Sequence, residues 1–208
     1  MTTVRCALVA GMISLGSAPA WAQGVEPDSV VYVLSAASRF EVKTGKAGLL
    51  GFAGHTHVVS ARVFVGRVVY YPYTPAQSRV EIVVPVDSLA VLTSSDTAET
   101  RKVTHAMRTE VLHVDQHPEI RFVSKTVTPV DDGFRLQGDL TLAGQTREVT
   151  VELKVAIGPD TLRATGTFSV KQTDFGIRPY RGGPAGTVRV ADGVKFTVEA
   201  VGVPAPGP

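Results

Sequence analysis

The residues able to do chemistry fall in two short stretches. His55-Thr56-His57 sets two imidazoles two residues apart, and on a strand that spacing puts both on one face. Such a pair chelates a divalent metal when a third ligand arrives from elsewhere, and His113 or His117 could supply it. The alternative is that both simply pack or hydrogen-bond. No cysteine and no neighbouring carboxylate completes the set, which weakens the metal reading. His105 and His113 lie eight apart in a helical stretch with Thr109 between them, flanked by Arg101 and Arg108. A charged helix face of this kind is most simply a solvated one. Ser88 has no His and Asp in a credible order for nucleophilic catalysis, and Asp87 and Asp174 sit where carboxylates orient backbone at turns. No glycine-rich loop opens a helix, because residues 48–54 lead into a strand. The chain reads as a non-enzymatic protein.

The elements that would position these residues are mostly strands. Val80, Ile82, Val84 and Val86 alternate with Arg79 and Glu81, the period of a half-buried strand. Similar runs fall at residues 30–34, 39–43, 134–142, 147–155, 162–170, 186–190 and 194–201. Asp132-Gly133, Ala143-Gly144 and Asp192-Gly193 supply turn chemistry between them. Residues 61–71 read as one long strand, apolar on both faces, whose outer face needs a cover from the helix or a partner chain. One helix is well signalled. Asp96-Thr97-Ala98-Glu99 has capping-box spacing, and Val103, Ala106, Met107 and Val111 form an apolar stripe, so a helix is expected over residues 97–112. His117-Pro118 ends the helical region. Gly45, Gly48, Gly51 and Gly54 punctuate an apolar segment that reads either as a mobile lip or as an ordinary bulged connection.

The N-terminus reads as an export signal: Arg5, an apolar run over residues 6–16, then the small-x-small site Ala20-Trp21-Ala22. The apolar run is too short to span a bilayer. The expected organisation is therefore a removed signal at 1–22, one domain over 23–202, and a flexible Pro/Gly tail at 203–208. Cleavage takes away Cys6, the single cysteine, leaving no disulfide framework and no thiolate site. The formal charge of +2 falls toward neutral. No basic block is interleaved with aromatics, so nucleic acid is not an expected partner. Low aromatic content, at 7%, with many short alternating runs points to an all-β barrel or sandwich.

Pro85-Val86-Asp87-Ser88-Leu89, then Arg101, the run over residues 107–112, and His117-Pro118-Glu119-Ile120-Arg121-Phe122-Val123-Ser124 resemble the YceI-like family. Leu136-Gln137-Gly138-Asp139-Leu140-Thr141-Leu142-Ala143-Gly144-Gln145-Thr146 is similar to its hairpin motif, and Asp174-Phe175-Gly176-Ile177 to its turn. The resemblance covers roughly residues 30–202, with the motifs in order. It implies an antiparallel lipocalin-like β-barrel of about eight strands with one principal α-helix. It also implies a polyisoprenoid or quinone-type lipid as ligand, and the bacterial periplasm as location.

In such a barrel the inward side chains of Phe40, Val42, Phe64, Ile82, Val84, Phe122, Leu136, Leu140, Val151 and Phe168 form the expected apolar pocket. Many inward positions are Val, which leaves room for a ligand, although a well-packed inert core fits the same alternation. His55, His57, Arg101 and Arg178 are the candidates for a polar mouth that meets a headgroup. No metal and no cofactor is expected beyond a bound isoprenoid lipid or quinone. Burial of each methylene is worth about 0.8 kcal/mol against water, but the membrane competes equally, so a carrier would exchange lipid through transient contact with a membrane surface. The alternatives are an interaction protein with a packed core, dimerising through the apolar outer face of the 61–71 strand, and a metal- or redox-linked protein using His55 and His57.

Overall fold

The computed structural model describes residues 28–47, 57–92, 97–182 and 188–206. The signal sequence, the glycine-punctuated segment from Gly48, His55 and the Asp96 cap lie outside the described residues.

An antiparallel barrel of eight strands closes on itself. Three of its staves are broken into two strands each. β1 (Val30–Leu34) and β2 (Arg39–Ala47) form the first, β3 (Val58–Ala61) and β4 (Val65–Tyr70) the second, and β5 (Arg79–Pro85) and β6 (Leu89–Val91) the third. β7 (Glu119–Val130), β8 (Gly133–Leu142), β9 (Gln145–Ile157) and β10 (Leu162–Lys171) follow as plain meander strands. After the two-residue β11 (Arg181–Gly182), β12 (Val188–Pro204) closes the barrel, pairing β10 on one edge and β2, then β1, on the other. Closure removes most of the sheet edge, although among the described residues β6 has no strand partner beyond β3 and β9 pairs β10 only over Leu153–Ile157.

The breaks are hydrogen-bonded corners. The stretch expected as one strand over 61–71 bends at residues 62–64, beside the 3-10 turn Val86–Ser88 of the adjacent stave. Arg62 N–H donates to Ser88 O at 3.2 Å. Ser88 Oγ shares its one proton between Pro85 O, at 2.7 Å, and Val63 O, at 3.0 Å. The two bends therefore lock each other.

The expected hairpin at Asp192-Gly193 is instead a bulge inside β12, where the register against β2 shifts between Val190 and Val194. Bulges bend a strand without ending it. β12 also runs beyond the expected boundary at Gly202, with Val203 opposite Val33 and Pro204 opposite Tyr32. The first two residues of the expected tail thus belong to the sheet.

The helix α1 (Thr97–Ala106) continues as a π-helical turn, Met107–Val111, in which Leu112 N–H reaches Met107 O at 3.0 Å. His113 then leaves the helix in the left-handed region, φ 52°. The expected span was right, but its last turn is widened rather than α-helical. This element packs at one end of the barrel, so it does not cover the outer face of β4. Val63 and Val65 there stay half exposed. The outer faces of β5, β7, β8 and β9 carry ion pairs instead, among them Lys125–Asp139 at 2.6 Å and Arg135–Glu152 at 2.7 Å. Exposed pairs of this kind are worth about 0–1 kcal/mol each.

The core has two parts. Val59, Val84, Val86, Leu89, Val91, Leu140, Leu142, Phe175 and Ile177 fill the helix end, with Val103, Met107 and Val111 packed against them. Tyr32, Leu34, Leu162, Ala164 and Ala200 fill the opposite end, where the β7–β8 and β9–β10 turns lie.

Candidate functional site

Between these clusters lies an apolar slot of about 120 Å³. Phe40, Val42, Ile82, Val84, Phe122, Leu136, Leu140, Val151 and Phe168 line it, as the alternation placed them. Phe64 does not. It sits in the 62–64 bend, packs against both core clusters and meets Phe40 edge to face, with ring centroids 4.9 Å apart. The lining also takes in Val59, Ala61, Leu89, Ile120, Phe196 and Val198, which the sequence reading missed. Phe196 and Val198 could have been found, since they alternate with Lys195 and Glu199. Phe168 and Phe196 stack, 4.7 Å between centroids.

Small valines explain only part of the open space. Gly138 faces inward on β8 between Leu136 and Leu140, and a Cβ there would stand 2.8 Å from Phe122 Cζ. At Gly166 on β10 a Cβ would stand 2.7 Å from Leu153 Cδ2. Each glycine gives room both to a carbonyl of the neighbouring strand, Val123 O or Glu152 O, and to the large side chain that lies over it. Those glycines are the missed signal: they occupy inward positions of otherwise apolar strands.

The helix end is built by hydrogen bonds to a strand that β7 does not reach. Arg108 Nε donates to Leu89 O at 2.9 Å, as does its Nη2, and Thr104 Oγ1 accepts from Val91 N–H at 3.2 Å. The helix thus satisfies the edge of β6 with side chains. Arg108, read from sequence as part of a solvated face, is half-buried and structural.

Phe175, 1% exposed, and Ile177 pack beneath the helix. They are held by a 3-10 turn over Gln172–Phe175, closed by Gly176 at φ 71°. Ile177 N–H bonds Gln172 O at 3.1 Å. The carboxylate that fixes this turn is Asp192, across the bulge, and not Asp174. Thr173 N–H donates to Oδ1 at 2.9 Å and Thr173 Oγ1 to Oδ2 at 2.8 Å. Those bonds hold the Asp192 pKa below its ordinary value, the backbone bond contributing most.

Of the proposed mouth residues, the described His57, Arg101 and Arg178 do not line the slot. Arg101 and Arg178 are exposed, and His57 stands at the start of β3, where its N–H donates to Thr44 Oγ1 at 3.2 Å. His105 and His113 are exposed, while the His117 ring lies over the β8–β9 turn, where a Cβ on Gly144 would stand 2.7 Å from Nδ1. Among the described residues no three His, Cys, Asp or Glu form a metal-holding group.

A barrel with these staves, an end helix and an apolar lumen is a shape other proteins share. The family model described as YceI-like domain matches residues 32–202. The chain belongs to the YceI-like family. Protein YceI of Escherichia coli O6:H1 is 30% identical over 92 residues, 44% of this chain and 45% of that protein. The chain thus spans less than half the length of this curated relative. Among solved structures, Burkholderia cenocepacia BcnA superimposes with a TM-score of 0.64 at 21% identity, covering 81% of this chain and 98% of BcnA. A polyisoprenoid binding domain from Saccharophagus degradans, implicated in plant cell wall breakdown, gives 0.59 at 13% identity, covering 85% and 99%. At these identities the likeness speaks for the fold.

Proposed function

We propose that this YceI-like barrel is a non-enzymatic lipid carrier or store, holding one long apolar molecule, a polyprenyl chain or isoprenoid quinone, in its lumen. The observation that carries this reading is the slot, whose lining is almost wholly hydrocarbon from Val42 to Phe168. A wall of this kind selects for apolar length and offers nothing to a charged ligand. The polyisoprenoid binding domain that shares the fold supports the same class of ligand. His55, His57, Arg101 and Arg178 are then the residues to meet a headgroup outside the slot.

The signal-like segment at 1–22 supports export to the periplasm, with Gln23 as the mature N-terminus. Exchange of lipid with a bilayer would require transient contact with the membrane surface. Val33, Val63, Val65 and Val203, between 39% and 55% exposed on one outer face, favour a second copy as a further partner, and sedimentation velocity would show a concentration-dependent dimer.

The test of the ligand is native mass spectrometry on protein exported with its own signal and purified without detergent, before and after solvent extraction. An extractable adduct that Val84→Trp diminishes is the expected result. A folded barrel with neither adduct nor uptake of added quinone refutes the reading.

A further inference from the structure

A second chamber of about 70 Å³ lies toward the hairpin end of the barrel. It shares Val80, Ile82, Leu136, Leu153 and Val198 with the main slot, so the two spaces stand on either side of one ring of side chains. Beyond that waist the wall is hydrocarbon. At its outer end Tyr70, the last residue of β4, meets Phe134, near the start of β8, edge to face with centroids 6.3 Å apart. The two strands are separated around the barrel by β5 and β7, so this ring pair reaches across the lumen. Tyr32 stands beside Tyr70 on the same inner face, and its phenol pKa is raised by burial and then by Tyr70. Ser78 Oγ accepts from Tyr71 N–H at 3.2 Å and pins the connection behind the pair.

We infer that this chamber receives the hydrocarbon end of the bound chain, and that the Tyr70–Phe134 pair sets the longest chain the barrel accepts. The inference rests on the lipid reading above. The waist consists of aliphatic side chains, and Leu153 already lies over Gly166. A chain threading from the helix end would move these side chains aside and join slot to chamber. A polar headgroup entering first would lose its hydrogen bonds to water without replacement, so the hydrocarbon end leads. Carbon atoms that reach past the ring pair gain no burial, which makes the pair a stop.

The test compares binding of farnesol, geranylgeraniol and the longer solanesol to mature, solvent-washed full-length protein by native mass spectrometry. Tyr70→Ala and Phe134→Ala should shift preference toward the longest alcohol by roughly tenfold, the effect of burying about two more methylene groups. Leu136→Trp at the waist should lose geranylgeraniol while keeping farnesol. Phe134→Leu keeps apolar volume while removing the ring contact, and serves if the alanine variants fail to fold. Binding by the wild type with the same rank order in every folded variant would overturn the stop while leaving the lipid reading intact. Absence of binding to any alcohol by the wild type would overturn both.

Discussion

Gly66→Ala separates wall geometry from composition. Gly66 faces inward on β4 opposite Ile82, and its backbone is ordinary, so only space decides the outcome. A Cβ there would overlap Leu34 Cδ1, lie 2.7 Å from Leu34 Cγ and 3.3 Å from Leu34 Cβ. The three nearest atoms all belong to one side chain, and Leu34 is buried. Forcing a methyl into such a site costs about 1–3 kcal/mol, against which the stiffer unfolded chain returns ~0.4–1 kcal/mol. The expected net loss is about 1–2 kcal/mol, a fall in Tm of roughly 2–8 °C for a domain of this size. Leu34→Ala alone should cost ~2–5 kcal/mol. In that background the two closest contacts are gone and that with Leu34 Cβ, at 3.3 Å, remains, while the added methyl helps fill the vacated space. Gly66→Ala should then be neutral or stabilising. Urea denaturation of the wild type, both single variants and the double variant gives the coupling, expected near 1–3 kcal/mol. Additivity within about 0.5 kcal/mol would refute the claim that Leu34 lies on the wall because residue 66 has no side chain.

Three further outcomes are expected. Arg108→Ala leaves the Leu89 carbonyl without its donors and should cost about 1–3 kcal/mol in urea denaturation, whereas exposed Arg101→Ala should stay within ~0.5 kcal/mol. Ala143 holds φ 47° in the β8–β9 turn, a conformation that costs a residue with a Cβ about 1–2 kcal/mol, so Ala143→Gly should raise the melting temperature. The Thr173 bonds hold the folded Asp192 pKa below its ordinary value, so its contribution is complete above the unfolded value and lost as pH falls through the folded one. The Thr173 amide resonance should therefore report a titration midpoint lower than that of an ordinary aspartate, and Asp192→Asn should abolish that titration.

Much of the fold was legible because a barrel repeats one simple rule. Alternation in β5, β7, β8, β9 and β10 placed Ile82, Phe122, Leu140, Val151 and Phe168 on one side, and the closed sheet brings those sides together around a single axis. The apolar stripe at Val103, Met107 and Val111 was enough to foresee a helix packed on the barrel. The motifs from Pro85 to Ile177 were enough to name the family. These are local signals, set by the period of the backbone and by turn chemistry.

Other features depended on neighbours remote in the chain, and no local pattern encodes them. Ser88 bends two staves at once, Asp192 holds Thr173 across a bulge, and Arg108 completes the edge of β6. Each works through a hydrogen bond whose partner is defined only when distant strands are in register. The space inside the barrel is decided in the same way. Composition showed an apolar interior, but whether that interior would be full or hollow turned on Leu34 lying over Gly66, Phe122 over Gly138 and Leu153 over Gly166. A glycine in a strand reads from sequence as a weakness. It becomes room for a ligand only when the tertiary structure lays a large side chain across it.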